Sequence, residues 1–563
     1  VARTVTSAAR LLDVLPVFDG DTRVQVTFTV NGGSAFGDGL PEFLRDLRAR
    51  VVPWRSAVRT RFDLAISASA NGELHRLRAP VAVFPHGVGH NRLVVESTGQ
   101  PGVASGLAAR QLIHRGRVVP ALIALSHEEQ LERLRRACPP AAEHAVVTGD
   151  PSFDRMVDSL PLRDEYRRAL GVRPGQGLVV LTSTWGPHSL LGRYPDLPAR
   201  WVAELPVDHY RTALIMHPNV AARHGRHRIE GWLAEALNAG LMLIPPEEGW
   251  RAALVAADWV VGDHGSVTYY GAALEQPTAL AAYGGAELDP ESALAAFGRS
   301  HPRLDPGRGL RRQLDGMRTT PIAHEALGMR GRAAGNLRAR LYELMDLDPP
   351  PIAPRARPVP LPRPIGREVS ALLIEGRIDA DVIELERRPA VLDHDDLPDP
   401  HLLVDEREVD RRLLESAAIF VRREPPADPE AWSEQVFARF PGAVLTAAAA
   451  GEGRTLLTMR DGRRLEARGA EVAVCASTAY LRLLSGHPVE GRTLVAAGPD
   501  KRHVEVTPPP SVLRFRYRWC RRRPGASGHA AGTSPRCPRP RPRSRRRAAP
   551  GLAPRAAACA ALP

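Results

Sequence analysis

The sequence predicts an α/β protein: two doubly wound, Rossmann-like domains facing a cleft, then a smaller C-terminal α+β region and a disordered tail. Three observations carry this expectation. Short apolar runs alternate with helical segments twice over, from residue 24 to 136 and again from 177 to 345. Turns of small residues fall at the carboxyl ends of those runs, where open α/β sheets hold ligands. Composition then changes abruptly after residue 510.

In the first run, residues 6–15 form an amphipathic helix, with Ala9, Leu12 and Leu15 near 3.6 spacing. Strands are expected at 24–30, 62–67, 80–84 and 121–125, with helices at 40–50 and 128–136. Such a domain ordinarily opens on a strand, and this one opens on a helix after Val1. The expectation is an incomplete N-terminal domain that lacks a central strand. The second run places strands at 178–181, 213–216, 241–244 and 259–261. A helix at 325–345 crosses back against the first domain. The expected divisions are 1–172 for the acceptor domain, 173–346 for the donor domain, 347–366 for a Pro/Arg linker and 367–510 for an accessory region. Within the last, strands are expected at 371–374 and 419–421, helices near 408–416 and 432–439, and a hairpin at 455–465 turning on Asp461 and Gly462. Asp393, His394, Asp395 and Asp396 read as a solvated acidic loop in preference to a metal site.

A length of 563 residues leaves room for two to four domains. With 44% hydrophobic and 25% charged residues, the composition is that of a globular protein. No apolar run approaches the roughly 18 residues of a transmembrane helix, and charges throughout residues 1–30 argue against a secretory signal. Cys138, Cys475, Cys520, Cys537 and Cys559 show neither paired metal spacing nor a disulfide framework, which suits the cytoplasm. The net charge of +13 belongs to one segment: residues 511–563 hold fourteen arginines and no acid, so the preceding 510 sum to −1. The pI near 10.2 is therefore no sign of a specific nucleic-acid partner for the body of the protein. Lys501 is the sole lysine, a bias that suggests GC-rich coding DNA. The tail reads as a frame artefact or dispensable extension in preference to a selected basic arm.

Five stretches carry candidate chemistry. Residues 256–277 read as strand, turn and helix. Gly262 and Gly265 would let backbone approach a ligand, and Ser266 would cap a helix whose free N–H groups favour an anion. The alternative is an ordinary turn that binds nothing. In 83–91, His86 follows a strand and precedes Gly87 and Gly89; a histidine there can act as general base, or be a loop residue without a role. Ser183 and Thr184, in 182–187, offer hydroxyls to phosphate or simply make a polar turn. His217 ends a strand, and Pro218 directs it out of the sheet; a buried structural histidine is the alternative. Gly149 and Pro151 make a turn, and Asp154 is a candidate cap.

In this order, HisGly at 86–87, ThrGlyAspPro with Asp154 at 148–154, MetHisPro at 216–218 and AspHisGlySer at 263–266 resemble the motifs of one family. They are similar to the CDP-glycerol glycerophosphotransferases of teichoic acid synthesis, of the two-domain glycosyltransferase fold called GT-B. The next resemblance is to the UDP-N-acetylglucosamine 2-epimerases. It extends over about residues 20–345. It implies that His86 deprotonates an acceptor hydroxyl, and that His217 with Asp263, His264, Gly265 and Ser266 holds a donor diphosphate. Departures are Asn91, with Arg92 beside it, where the family has lysine; His264 and Gly265 inside an AspTyrSerSer motif; and TrpGlyProHis at 185–188 in place of the epimerase loop. The implied activity passes a sugar or polyol phosphate from a nucleotide-diphosphate donor to a hydroxyl acceptor, in cell-envelope polymer synthesis. The alternatives are a nucleotide-sugar epimerase or hydrolase, and a non-catalytic binding module. No metal and no tightly bound cofactor is expected. The expected partners are the activated donor and a hydroxyl acceptor that includes lipid-linked forms, with a peripheral contact at the inner membrane face.

If the tail is dispensable, a chain ending at Pro510 keeps the donor turnover and thermal stability of the full chain near physiological salt. Loss of either on truncation makes the tail part of the machine.

Overall fold

The computed structural model describes residues 1–323, 325–379, 382–390 and 399–509. The acidic loop at 393–396, the tail from 511 and its three cysteines lie outside them.

Four parallel strands make the first sheet, Ala65–Ser67, Val81–Val83, Leu122–Leu125 and Ala145–Val147, paired in chain order. Val81–Val83 and Leu122–Leu125 are buried at every position, as parallel strands covered on both faces should be. The strand expected at 24–30 is absent from this sheet; that segment makes only single bridges, Phe28 with Val51 and Val30 with Ala2. Its apolar side chain has another outlet, because Phe28 packs with Val5 and Ala8 of the first helix and with Leu40, Phe43 and Leu44. That first helix, Val5–Val14, begins with a reciprocal capping box between Thr4 and Ser7.

The second sheet has five parallel strands in the order Thr278–Leu280, Trp259–Gly262, Gly177–Ser183, Tyr210–Met216, Met242–Ile244. The winding reverses between Gly177–Ser183 and Trp259–Gly262. A crevice therefore opens outside the carboxyl ends of those two strands, the place where doubly wound sheets bind ligands. The strand Thr278–Leu280 was not expected; it is three residues long and follows Pro277 directly. Helix Ala333–Leu344 starts later than residue 325 but does cross back. Its Leu337, Leu341 and Tyr342 pack with Leu11, Val14, Phe84 and Leu122 of the first domain. Residues 347–366 are mostly exposed but tied to the body: Tyr166 donates to the Val359 carbonyl at 2.7 Å, and Ile365 and Leu243 exchange two backbone hydrogen bonds.

The accessory region is more β-rich than expected. Nine strands between Ala371 and Thr507 close into a barrel. Alternate residues of all nine form one core with helix Val472–Leu484, so the helix lies in the barrel interior. Its residues 474–481 are buried on every side. Small residues make room: a Cβ at Gly376 would stand 2.1 Å from Leu481 Cδ1. Strands such as Val382–Pro389 were missed because their outward residues are charged and their inward ones few.

The two α/β domains are joined by buried charge. Asp13, with no exposed side-chain surface, pairs with Arg155 at 2.9 Å and with Arg251 of the second domain. Asp150 accepts from Arg10 at 2.8 Å and from the Tyr270 hydroxyl of the second domain at 2.7 Å. The same carboxylate caps helix Pro151–Asp158 through Ser152 and Phe153. Burial by itself would raise the Asp13 pKa, but Arg251, Arg155 and Arg10 outweigh it and hold it below the ordinary carboxylate value.

Asp13→Ala leaves two arginines without their buried partner and should cost about 3–5 kcal/mol in urea unfolding at pH 7. Because the folded pKa is depressed, Asp13 stabilises the protein above the ordinary carboxylate range and its contribution fades as pH falls through the folded value. The stability gap between parent and variant should therefore narrow in acid.

Candidate functional site

His86 sits just past strand Val81–Val83, on a loop held from below by Arg10, whose Nε donates to the Pro85 carbonyl at 3.1 Å. The His86 side chain is accessible to solvent, yet desolvation by surrounding protein, followed by the charge of Arg10, lowers its pKa. Accessibility together with desolvation is what the wall of a concave site produces. A hydrogen bond to the Ala68 backbone opposes the shift, as a ring N–H donating to a carbonyl does. His90 is different: it is buried, its Nδ1 faces the Ser105 carbonyl at 3.1 Å, and burial and Arg133 lower its pKa to about 3. It shapes the loop.

The loop is fastened to the second domain. The Val88 N–H donates to Ser266 Oγ at 3.2 Å. The Leu93 N–H donates to the Glu287 carbonyl and the Asp289 N–H to the Asn91 carbonyl, both at 2.8 Å. Arg133 and Asp289 add a buried ion pair at 3.0 Å. Ser266 is not the cap of its helix, as expected, but the first residue of Ser266–Ala273, with Gly265 at the cap position. The helix has no side-chain cap; Asp263 Oδ1 accepts instead from the Gly265 N–H at 3.0 Å, which closes the turn before it. The Ser266 hydroxyl is thereby released toward the first domain, and a Cβ on Gly87 would stand 2.6 Å from it.

His217 ends strand Tyr210–Met216 with extended backbone and caps helix Pro218–His224, its Nδ1 accepting from the Asn219 N–H at 3.1 Å. Burial, then His86 and then Arg92 lower its pKa to about 3. At neutral pH His217 is therefore uncharged, with Nε2 as its donor. His217 therefore feels the charge of His86 across the domain boundary. Beside them lies a group that the sequence reading had noted only as a neighbour. Arg92 lies with Cζ 4.0 Å from the Trp185 ring centroid, and Trp185 lies 6.5 Å from the His217 ring. Arg92 pairs with Glu287 at 2.7 Å. Glu287 also faces His264 Nε2 at 3.5 Å, and His264 Nδ1 accepts from the Gly284 N–H. Trp185 lies in the 182–187 stretch already marked in the sequence, whereas Glu287 carried no local signal.

Several expected donor-binding residues do other work. Asp263 is fully buried, and its two oxygens accept the N–H groups of Thr184 and Leu190, both at 2.8 Å, besides that of Gly265. It ties the 184–190 loop to the 263–266 turn and has no oxygen turned to a ligand. His264 is buried and positions Glu287. Ser183 Oγ donates to the Thr184 carbonyl and accepts from the Leu191 N–H. Thr184 is half-buried and donates its N–H to Asp263. Gly262 serves packing: a Cβ there would meet Thr182 Oγ1 at 1.9 Å and Thr268 Oγ1 at 2.4 Å, two hydroxyls that bond each other at 2.7 Å. At Gly265 the nearest atoms to a Cβ are Asp263 Oδ1 at 3.1 Å and Thr184 Cβ at 3.3 Å, so Gly265 lies close to the loop. Gly89 and Gly149 have φ of +65° and +92° and answer to backbone geometry. Asp154 accepts from the Gly331 and Ala333 N–H groups, so it caps the returning helix instead of its own.

Among the described residues no group of three His, Cys, Asp or Glu could hold a metal ion. Two surface grooves of about 260 and 680 Å³ lie elsewhere, and neither contains a histidine. The site thus has an accessible histidine and an arginine on the first domain, with a neutral histidine, the tryptophan beneath that arginine and a helix start on the second.

No protein-family model matches the chain, and no curated protein matches it. Solved structures similar to it include a histidine variant of the wall teichoic acid polymerase TagF, at 12% identity and TM-score 0.38, over 61% of this chain and 87% of that one. The UDP-GlcNAc 2-epimerase from Methanocaldococcus jannaschii is similar at 10% identity and TM-score 0.39, over 60% and 97%. The S. aureus MnaA–UDP structure is similar at 11% identity and TM-score 0.37, over 62% and 97%. At these identities the likeness is one of fold.

Gly262→Ala should lower thermal stability, by about 1–3 kcal/mol, through overpacking against Thr182 and Thr268. A variant as stable as the parent would return Gly262 to the ligand-facing role.

Proposed function

We propose that the protein is a transferase that moves a sugar or polyol phosphate from a nucleotide-diphosphate donor to a hydroxyl acceptor. The observation that carries the reading is the Val88–Ser266 hydrogen bond. It sets the His86 loop of one domain against a helix start of the other, at the point where the second sheet reverses its winding.

In this reading the acceptor hydroxyl binds against His86. The unprotonated ring nitrogen takes its proton as the oxygen attacks the transferred group. The bond to the nucleotide breaks on the opposite side, and the electron pair leaves on a diphosphate or nucleotide oxygen. His217 donates a hydrogen bond to that oxygen without carrying charge. Arg92, released from Glu287 or shared with it, supplies the positive charge, and the N–H groups at the start of Ser266–Ala273 add the helix dipole. The proton on His86 passes to solvent afterwards. Asp263 and His264 contribute by fixing the loops and do not touch the donor. The acceptor is lipid-linked or polymeric, and the setting is cell-envelope polymer synthesis.

His86→Ala should leave donor affinity nearly intact and lower turnover by about a hundredfold or more. Since the His86 pKa lies below the ordinary histidine value of 6.5, the base is protonated only in acid. The parent kcat/KM should fall on the acid side of pH 6.5, and that limb should vanish in the variant. His217, with a pKa of about 3, contributes no limb in this range. Thermal shifts with CDP-, UDP- and GDP-linked donors identify the base; equal turnover in His86→Ala, or no shift with any donor, defeats the reading.

A further inference from the structure

Ala2 bridges to Val30 in parallel, and the Val1 amino group donates to the Ile66 carbonyl at 2.7 Å. The first residues therefore run beside strand Ala65–Ser67, and Arg3 stands at the carboxyl end of the first sheet, the end that holds His86. Two loops flank Arg3 there, and each reaches the cleft. Residues 68–72 do so at Ala68, whose backbone bonds the His86 ring. Residues 31–37 do so at Phe36, whose ring centroid lies 5.1 Å from that of Trp185.

Arg3 is half-buried, and its Nη1 donates to the Gly32 carbonyl at 3.1 Å, a neutral group. Among the described residues no carboxylate pairs with it, and burial alone lowers its pKa. Asp38, the acid of the neighbouring loop, is exposed and makes no ion pair among the described residues. Beside Arg3, Asn31 is 3% exposed, and its Nδ2 has no partner among the described residues. The two groups meet at one point of the backbone. A Cβ on Gly72, whose φ is +97°, would stand 2.4 Å from Arg3 Nη1 and 2.3 Å from Asn31 Nδ2. A Cβ on Gly32 or Gly33 would meet nothing within 4 Å, so the loop that carries the Gly32 carbonyl is open on its outer side. A desolvated cation and a donor without an acceptor each cost free energy, and an oxyanion answers both. A water molecule would satisfy Asn31 and leave the charge of Arg3 unmet.

We propose that Arg3 and Asn31 form an oxyanion site on the first domain, which takes a phosphate or carboxylate group carried by the acceptor and selects charged acceptors over neutral ones. The assignment to the acceptor rests on the reading of His86 as the base; the binding of an anion does not. The donor diphosphate is met elsewhere, by His217, Arg92 and the start of helix Ser266–Ala273.

The test follows hydrogen exchange of the full chain with methyl phosphate, with acetate and with methanol. Localised exchange is needed, because the arginines after residue 510 and the donor side of the cleft also draw anions. With a probe at about twice its Kd, exchange at 31–37 and 69–73 should slow about threefold. Methyl phosphate acting alone assigns the site to phosphate, acetate alone to carboxylate, and both to either group; methanol should do nothing. R3Q should abolish the protection by removing the charge. N31D should abolish it by giving Arg3 a partner inside the protein, with a melting temperature equal to the parent's or higher, and R3Q decides if N31D melts lower. Equal protection by methanol, protection confined to 86–93, 262–268 and the tail, or protection that persists in R3Q would each overturn the proposal. Neither donor nor turnover enters this experiment, so failure of this site and failure of the transferase reading are told apart.

Discussion

Everything in the cleft depends on charge buried beneath it. Asp150 and Asp13 each bind residues from both α/β domains, and removing either carboxylate would leave arginines with no water to replace it. A buried pair of this kind is poor at raising stability, because desolvation offsets much of the attraction. What it does well is choose one arrangement, since a shifted domain would strand Arg251 and Tyr270. Arg10 extends the same network to the Pro85 carbonyl through its Nε, so the guanidinium that fixes the junction also fixes the backbone next to His86.

From that base the site is assembled by polar residues that never meet a ligand. Asp263 gathers three N–H groups from two loops, and His264 steadies Glu287, which in turn holds Arg92 on Trp185. The groups left over are one accessible histidine, one neutral N–H donor, one guanidinium and one helix start, and the proposed transfer draws on each of them. The division of labour has a physical cause. In the proposed reaction a free carboxylate there would repel the donor diphosphate; the Asp263 carboxylate is instead engaged by three backbone N–H groups. The cation, by contrast, stays half-exposed beside an aromatic face.

Much of the fold was legible. The strands Val81–Val83, Leu122–Leu125, Gly177–Ser183, Tyr210–Met216 and Trp259–Gly262 are apolar runs bounded by turns, and the returning helix has its own apolar stripe. The failures also have reasons. Residues 24–30 have strand composition, but Phe28 finds its partners on helices. The barrel strands hide their alternation behind arginine and glutamate on the outer side, and the helix inside looks like any apolar helix. His86 and His217 stand out in the sequence because strand ends before glycine or proline are local features.

The sequence by itself determined the elements, the near-neutral body with its separate basic tail, and the short list of histidines, since periodicity and composition are carried by neighbours in the chain. Only the tertiary structure decided which polar residue faces the cleft and which one holds it together. Asp263 and Ser266 are three residues apart in one motif and read alike, yet one bonds N–H groups 73 and 79 residues away, and the other accepts from Val88, 178 residues away. A side chain's partners at such separations are set by the packing of two domains, and no local pattern encodes them.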